Sequence, residues 1–458
     1  MNYTTRRAYV VLALIGGFFA GMIIMTFSLF KNGGHWASNR VNAHLYSGGQ
    51  IVNAGSVFTA DGEELAKSFN GKRVYSKDRT LRLSSLHVLG DPVGFIASGT
   101  HSLYREELFG YSFVNGIYTL KEYGKGNDVY LTINSKANKA AYNALNGRKG
   151  AVGVYNFKTG EIICAVSNPA YDLNNKPKDM KVEEGDTYEG VYLNRLFSGL
   201  YTPGSIFKTV TAACAIENTP ALSSWTFTCT GEYQVGQGLV KCPKKHGKMD
   251  FEKALNNSCN CAFAQLAIDL GKEKLDLQAQ SLGFGQAIKI DKTLSEKSIL
   301  NLDRANGFDL AWAASGQYTT LVNPAHMMIL MGAIANGGQA VSPYFVEKIV
   351  TPNKIVIYRA TKAIENSVNI KPETANELAK LFRSNVINEY GDSSFPKLQM
   401  CGKTGTAEVQ KGKAPHAWFV GFSQRDDLPY AIVVVVENAG SAISNAVPVA
   451  NRVMQALK

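Results

Sequence analysis

An α+β domain carried behind an apolar N-terminal anchor is the architecture this sequence predicts. Three observations predict it. An uncharged run of 23 residues, Ala8 to Phe30, stands near the N-terminus. Strand-like segments cluster at both ends of the region from Asp128 onward, and helical patterns fill the space between them. Strands placed that way pair into one antiparallel sheet with helices packed against it.

The anchor comes first. A helix needs about 20 apolar residues to cross a bilayer, and this run supplies them. Arg6 and Arg7 precede it, and Lys31 is the one basic residue directly after it. The positive-inside rule then expects a cytoplasmic N-terminus and an extracytoplasmic remainder. The run is longer than a signal-peptide core and lacks a clean small-x-small cleavage site, so a single-pass cell-membrane anchor is expected. A length of 458 residues suits two or three domains. The expected division is residues 1–30 for stub and anchor, 31–120 for a small β-rich pedestal, and 121–458 for the main domain. The net charge of +11 favours anionic surroundings. No basic run is interleaved with aromatics, so nucleic acid is not an expected partner.

After the anchor, GGQIVNAGSVFTADGEELAKS reads as short strands joined by Gly and Asp-Gly turns. DVYLTI, from Asp128, alternates like a strand, and SKANKAAYNALNG reads as an amphipathic helix ending at Gly147. GAVGVYNFKTGEIICAVSNP reads as two strands joined at Lys158-Thr159-Gly160. Pro203 and Gly204 break the chain before a helical IFKTVTAACAIE. Further helices are expected within residues 253–270, where one carries the Ser258 element with Ser258 and Asn260 at a helix start or loop, and within 319–335. HAWFVGF and PYAIVVVVEN are strong strands, and Ser444 to Lys458 reads as a final helix.

Seven cysteines are too few for a disulfide scaffold. Cys229 and Cys242 flank a Gly-rich hairpin, CTGEYQVGQGLVKC, and a disulfide between them is the first expectation outside the cell. Free thiols come second. A metal held by Cys242, His246, Cys259 and Cys261 comes third, because paired C-x2-C ligands are missing. Cys164 and Cys214 sit in apolar contexts and read as core residues.

Three short elements carry the chemistry: Ser205-Ile-Phe-Lys208, Ser258-Cys-Asn260 and Lys403-Thr404-Gly405. Positions i and i+3 share a helix face, so the Lys208 amine reaches the Ser205 hydroxyl. Serine needs such a base to act as a nucleophile. Burial, with Lys403 as a second positive charge, lowers the lysine's pKa enough for that task. Ser258 is placed to relay a proton to a leaving amine, and Asn260 offers a donor and an acceptor to a peptide. Lys403, Thr404, Gly405 and Thr406 read as a strand edge that an extended peptide joins by main-chain hydrogen bonds. Each element alone is common in long proteins. The G-K-T step lacks the earlier glycine of a P-loop, since Lys397 stands there, and the serine frame is not G-x-S-x-G. No metal and no cofactor is required.

In this order, the three elements match the S-x-x-K, S-x-N and K-T-G set of serine enzymes acylated by D-alanyl peptides and β-lactams. Together with Tyr201-Thr-Pro-Gly, HGKMDFEKALNN, ANGG and GKTGTAE followed by AWFVGF, the chain resembles the class B, monofunctional penicillin-binding proteins. The resemblance is strong over residues 120–458. It implies a penicillin-binding transpeptidase domain with the serine β-lactamase-like fold, a five-stranded antiparallel sheet flanked by helices. It implies Ser205 as nucleophile, Lys208 as base, Ser258 and Asn260 as relay and substrate contact, and Lys403 to Thr406 as the binding strand. The backbone N–H groups of Ser205 and Thr406 would form the oxyanion hole. Peptidoglycan stem peptides on lipid-derived glycan, β-lactams and a membrane glycan polymerase are the implied partners. Two departures stand out: Cys259 inside S-x-N, and Gly316-Gln-Tyr318 where the family often has Gly-Gln-Gly. Rival readings are a D,D-carboxypeptidase, a β-lactamase, a β-lactam sensor and a non-catalytic scaffold of wall synthesis. The similar Glu189 to Asn194 stretch precedes Ser205 and does not fit a class A deacylating loop.

Overall fold

Residues Tyr3–Ala37 form one helix, α1, whose apolar face meets no protein core; it is long and apolar enough to cross a membrane. This computed structural model describes residues 3–458 apart from 40, 43, 44, 48, 49, 115, 118–124, 179, 410 and 411. The expected domain boundary at 120 and 121 lies outside the described residues.

The main sheet has five antiparallel strands: β1 (Gly150–Asn156), β2 (Ile162–Asn168), β3 (Met400–Ala407), β4 (His416–Ser423) and β5 (Tyr430–Val436). Their order is β3-β4-β5-β1-β2, so strands from the two ends of the domain meet at β5 and β1. Alternate residues of each strand enter different cores. Val152, Val154, Ile432 and Val434 face one core, while Ala151, Tyr155, Val433 and Val435 face the other. Both faces are covered, which explains the unbroken apolar run at 431–436.

Helices α2 (Ser135–Leu145), α3 (Lys208–Asn218), α4 (Pro324–Ala335) and α5 (Val447–Ala456) do the covering. α2 and α5 contribute to the first core, α3 and α4 to the second. The Asn134 side chain caps α2 by accepting from Ala137 N at 3.0 Å, and Asn146 ends it in a left-handed conformation. The helix expected over 319–335 begins instead at Pro324. Asn323 caps it, and proline at the first position needs no N–H partner.

A second sheet of six strands runs in the order Val356–Arg359, Val346–Val350, Asp128–Leu131, Val57–Phe58, Glu64–Phe69, Lys72–Tyr75. It joins the region read as a pedestal to strands that lie nearly 300 residues later in the chain. Between Arg79 and Leu89 the same region is helical.

Candidate active site

Ser205 lies in a 3-10 turn, Gly204–Phe207, that runs directly into α3. Gly204 takes φ +55°, and a Cβ there would come within 2.8 Å of the Thr406 carbonyl. Glycine therefore lets the serine turn lie against β3. Gly405 has the reciprocal reason: its Cβ would meet the Pro203 carbonyl at 2.7 Å. A third glycine, Gly316, backs the turn and accepts from Gly204 N at 2.9 Å.

Lys208 is fully buried beneath Ser205. Its Nζ lies 3.1 Å from Ser205 Oγ, 3.1 Å from Ser258 Oγ, 2.7 Å from the Ser258 carbonyl and 2.7 Å from Asn260 Oδ1. The carbonyl and the amide oxygen only accept. A neutral amine has two N–H groups for them and one lone pair left for a hydroxyl proton. Burial pushes the Lys208 pKa down to about 8. Lys403 is equally buried on β3; burial, then the charge of Lys208, bring it to about 7.

The helix expected to carry the Ser258 element is interrupted at Ser258. Helices Phe251–Asn256 and Asn260–Leu270 flank a break at which Ser258 takes φ +51°. The physical reason is the cap of the second helix: Cys259 leaves the helical conformation and its Sγ accepts from Ala262 N at 3.4 Å. The break turns both the Ser258 carbonyl and its hydroxyl toward Lys208. Asn260 Nδ2 donates to the Lys241 carbonyl at 3.0 Å, which fixes its Oδ1 toward the lysine. The amide expected to face a substrate thus holds protein partners on both atoms.

β3 is an edge strand, paired on one side with β4. Thr404 is half-buried, Gly405 buried and Thr406 exposed. Tyr390 supports this strand from beneath. Its hydroxyl accepts from Thr404 N at 2.9 Å and from Asn385 Nδ2 at 2.8 Å, and it meets Thr404 Oγ1 at 2.9 Å. Sequence reasoning missed Tyr390, which sits on a π-helical turn over Val386–Tyr390; such turns are frequent at functional sites. It also missed the bond from Arg195 Nε to Glu437 Oε1, 2.7 Å, to which the Tyr201 hydroxyl adds another at 2.9 Å. Neither has a local sequence signal.

The second K-T-G, Lys158-Thr159-Gly160, is the hairpin turn between β1 and β2, with Asn156 Oδ1 accepting from Lys158 N and Thr159 N. Tyr318 takes φ +61°, the conformation a glycine would adopt at that step. The Gly-rich stretch forms the expected hairpin, Glu232–Val235 with Gly238–Lys241. The disulfide expected across it is not formed. All seven cysteines are free, and Cys242 Sγ stands 3.6 Å from Cys259 Sγ and 3.4 Å from Cys261 Sγ.

Residues 150–455 match the family model described as the penicillin binding protein transpeptidase domain. Among curated proteins, the chain is 28% identical over 348 residues to the peptidoglycan D,D-transpeptidase PbpA of Mycolicibacterium smegmatis, covering 70% of this chain and 69% of that one. The D,D-transpeptidase domain of a peptidoglycan glycosyltransferase from Eggerthella lenta superimposes with a TM-score of 0.73 at 28% identity, covering 88% of this chain and 98% of that one. Penicillin-binding protein A of M. tuberculosis, solved as a ceftriaxone acyl-enzyme complex, has the same fold, with a TM-score of 0.78 at 22% identity over 88% of this chain and 98% of that one.

Proposed function

Because the chain belongs to the penicillin-binding protein transpeptidase family, we propose that it is a class B peptidoglycan D,D-transpeptidase working through an acyl-serine intermediate. The observation that carries this reading is a buried amine, Lys208 Nζ, 3.1 Å from the Ser205 hydroxyl. Ser205 Oγ attacks the carbonyl carbon between the two terminal D-alanines of a stem peptide, and neutral Lys208 takes its proton. The N–H groups of Ser205 and Thr406 hold the oxyanion. The C–N bond then breaks, and Ser258 passes the proton to the departing D-alanine amine. An amine of a second stem peptide attacks the ester, loses its proton to Lys208 and leaves as the cross-linked amide, returning the hydroxyl to Ser205.

Substrate binding falls to β3. Lys403, Thr404 and Thr406 grip the terminal carboxylate, and Gly405 keeps the strand close to the serine turn. A β-lactam meets the same attack, but its amine stays tethered to the acyl group, so the ester persists. The same groups with water as acceptor would give a carboxypeptidase. With α1 in the cell membrane and Arg6 and Arg7 on the cytoplasmic side, the catalytic domain stands outside, beside a glycan polymerase that supplies the strands.

The test is acylation of the full chain in detergent by labelled penicillin, read by intact mass over time, beside Ser205→Ala. A lasting adduct on the wild type, absent from the variant, is the expected result. Rapid release of opened penicillin indicates a β-lactamase instead. No adduct on a folded chain sinks the catalytic reading.

A further inference from the structure

α1 outruns the membrane it is long enough to cross. Its uncharged run, Ala8 to Phe30, measures about 33 Å at about 1.5 Å per residue, close to the roughly 30 Å of a bilayer's hydrocarbon core. Phe30 therefore stands at the outer edge of that core. The helix continues to Ala37, where Asn42 Nδ2 donates to the Trp36 and Ala37 carbonyls at 3.2 and 2.5 Å and closes its end. Along this last stretch the helix lies directly on the domain. A Cβ on Gly33 would come within 2.5 Å of the Tyr111 hydroxyl, and one on Gly34 within 2.2 Å of Glu106 Oε2. Two glycines thus let the helix backbone rest against the short helix Arg105–Leu108 and the segment after it.

That segment carries Phe113 to the helix. The Phe113 ring stacks on Phe30, with centroids 4.0 Å apart and planes inclined by 24°. Whatever depth Phe30 has in the bilayer, Phe113 shares it. Phe113 and Val114 lie in a tight turn closed by two backbone hydrogen bonds between Ser112 and Gly116, both 2.8 Å. Val114 is 87% exposed, and Phe113 is 47% exposed even with the stack in place. Residues 111–120, YSFVNGIYTL, contain no charge. Large apolar side chains on an exposed turn are costly in water and favourable at a lipid boundary. Trp36, also half exposed, stands further along α1, at the level where interfacial aromatics gather.

We propose that the turn carrying Phe113 and Val114 dips into the outer leaflet beside α1, so that the domain rests on the lipid surface through this turn as well as hanging from its helix. Lipid is the occupant because the turn extends sideways, from Phe30, the same apolar surface that α1 offers to the acyl chains. Two points of attachment at one depth resist tilting of the domain away from the bilayer. They set the height of Ser205 above the lipid, which a single helix on a slack linker would leave variable. The proposal rests on α1 spanning the membrane and is independent of the acyl-transfer reading.

The experiment is photo-crosslinking of the full chain in bilayer discs of phosphatidylethanolamine and phosphatidylglycerol. Benzoylphenylalanine is placed at Phe27, Phe113, Val114 or Ile443, one position per variant, and intact mass reads the product. Phe27 is exposed on α1, and Ile443 is exposed on the short helix Ala442–Asn445, packed against β4 of the main sheet. A mass increase of one phospholipid is expected at Phe27, Phe113 and Val114, and none at Ile443. Melting temperatures show which variants are folded, and Val114 serves where replacement of Phe113 disturbs the stack. Lipid at Phe27 with none on the turn overturns the proposal and leaves the anchor standing. No lipid at any position overturns the anchor, and the proposal with it. Equal labelling at Ile443 means indiscriminate contact and overturns the assignment of the turn. A chain-to-chain cross-link from the turn overturns lipid in favour of a second copy.

Discussion

Lys208 and Ser258 are joined twice, from Nζ to the Ser258 carbonyl at 2.7 Å and from Nζ to its hydroxyl at 3.1 Å. The serine's left-handed backbone makes both contacts possible, because it turns the carbonyl and the side chain to the same side. The base is therefore held from the neighbouring helix pair as firmly as from its own helix. Its reach to Ser205 depends on a turn that a regular helix would not contain.

Acylation should rise with pH as Lys208 loses its proton. Burial lowers its pKa to about 8. Below that value the ammonium offers Ser205 no acceptor, so the rate should fall by up to about tenfold per pH unit and level off above it. Stopped-flow acylation between pH 6 and 10 reads the profile, and a flat profile removes Lys208 as the base. Both buried lysines have folded values below their unfolded ones. The unfolded chain thus binds more protons between about pH 7 and 10, and stability should increase with pH over that window.

Tyr390→Phe should slow acylation while leaving the nucleophile intact. The hydroxyl satisfies Thr404 N on the binding strand. Leaving a buried N–H without a partner costs about 1–3 kcal/mol, equivalent to roughly 5- to 150-fold in rate if it falls on the strand's working geometry. Second-order rate constants with a chromogenic cephalosporin would measure it. A variant as fast as the wild type would show that the strand needs no such support.

Arg195→Ala should destabilise the domain by about 3–5 kcal/mol, because it leaves the Glu437 carboxylate without its cation, held by the Tyr201 hydroxyl alone, in a nearly dry site. Arg195 also donates to the Gly190 and Glu189 carbonyls at 2.7 and 2.9 Å, so the loop before α3 should loosen as well. Urea denaturation of Arg195→Ala, Glu437→Gln and the double variant separates the pair from its parts; strictly additive losses would show that the two residues act alone.

Gly316→Ala should lose more than about 1 kcal/mol, since its φ is +74° and a Cβ would stand 2.0 Å from the Gly204 carbonyl. Tyr318→Gly, two residues on, should change stability by less than about 1 kcal/mol, because relief of the strained backbone offsets the added freedom of the unfolded chain. Melting temperatures of the two variants would compare them. A tolerated Gly316→Ala would mean that the serine turn yields.

Much of the fold was legible because its signals are local. The alternating and continuous apolar runs gave β1, β2, β4 and β5, and the break at Pro203-Gly204 marked the start of the serine turn. One helix start was misplaced for an equally local reason: the Asn323-Pro324 start was outweighed by the apolar periodicity before it. The sheet that joins Val57–Phe58 to Asp128–Leu131 and Val346–Val350 was not legible, since strand pairing across such separations leaves no pattern in either segment.

The membrane-length helix, the serine–lysine pair one helical turn apart and the order of the three motifs follow from the residues alone. Each is a property of a few consecutive residues and of helix geometry. Long-range packing sets the rest: Ser258 in a helix break facing Lys208, Tyr390 under the binding strand, and Cys229, Cys242, His246 and Cys259 in one small space. Those arrangements depend on which distant segments are pressed together when the two cores close. Packing of the whole chain settles that choice, and no single stretch encodes it.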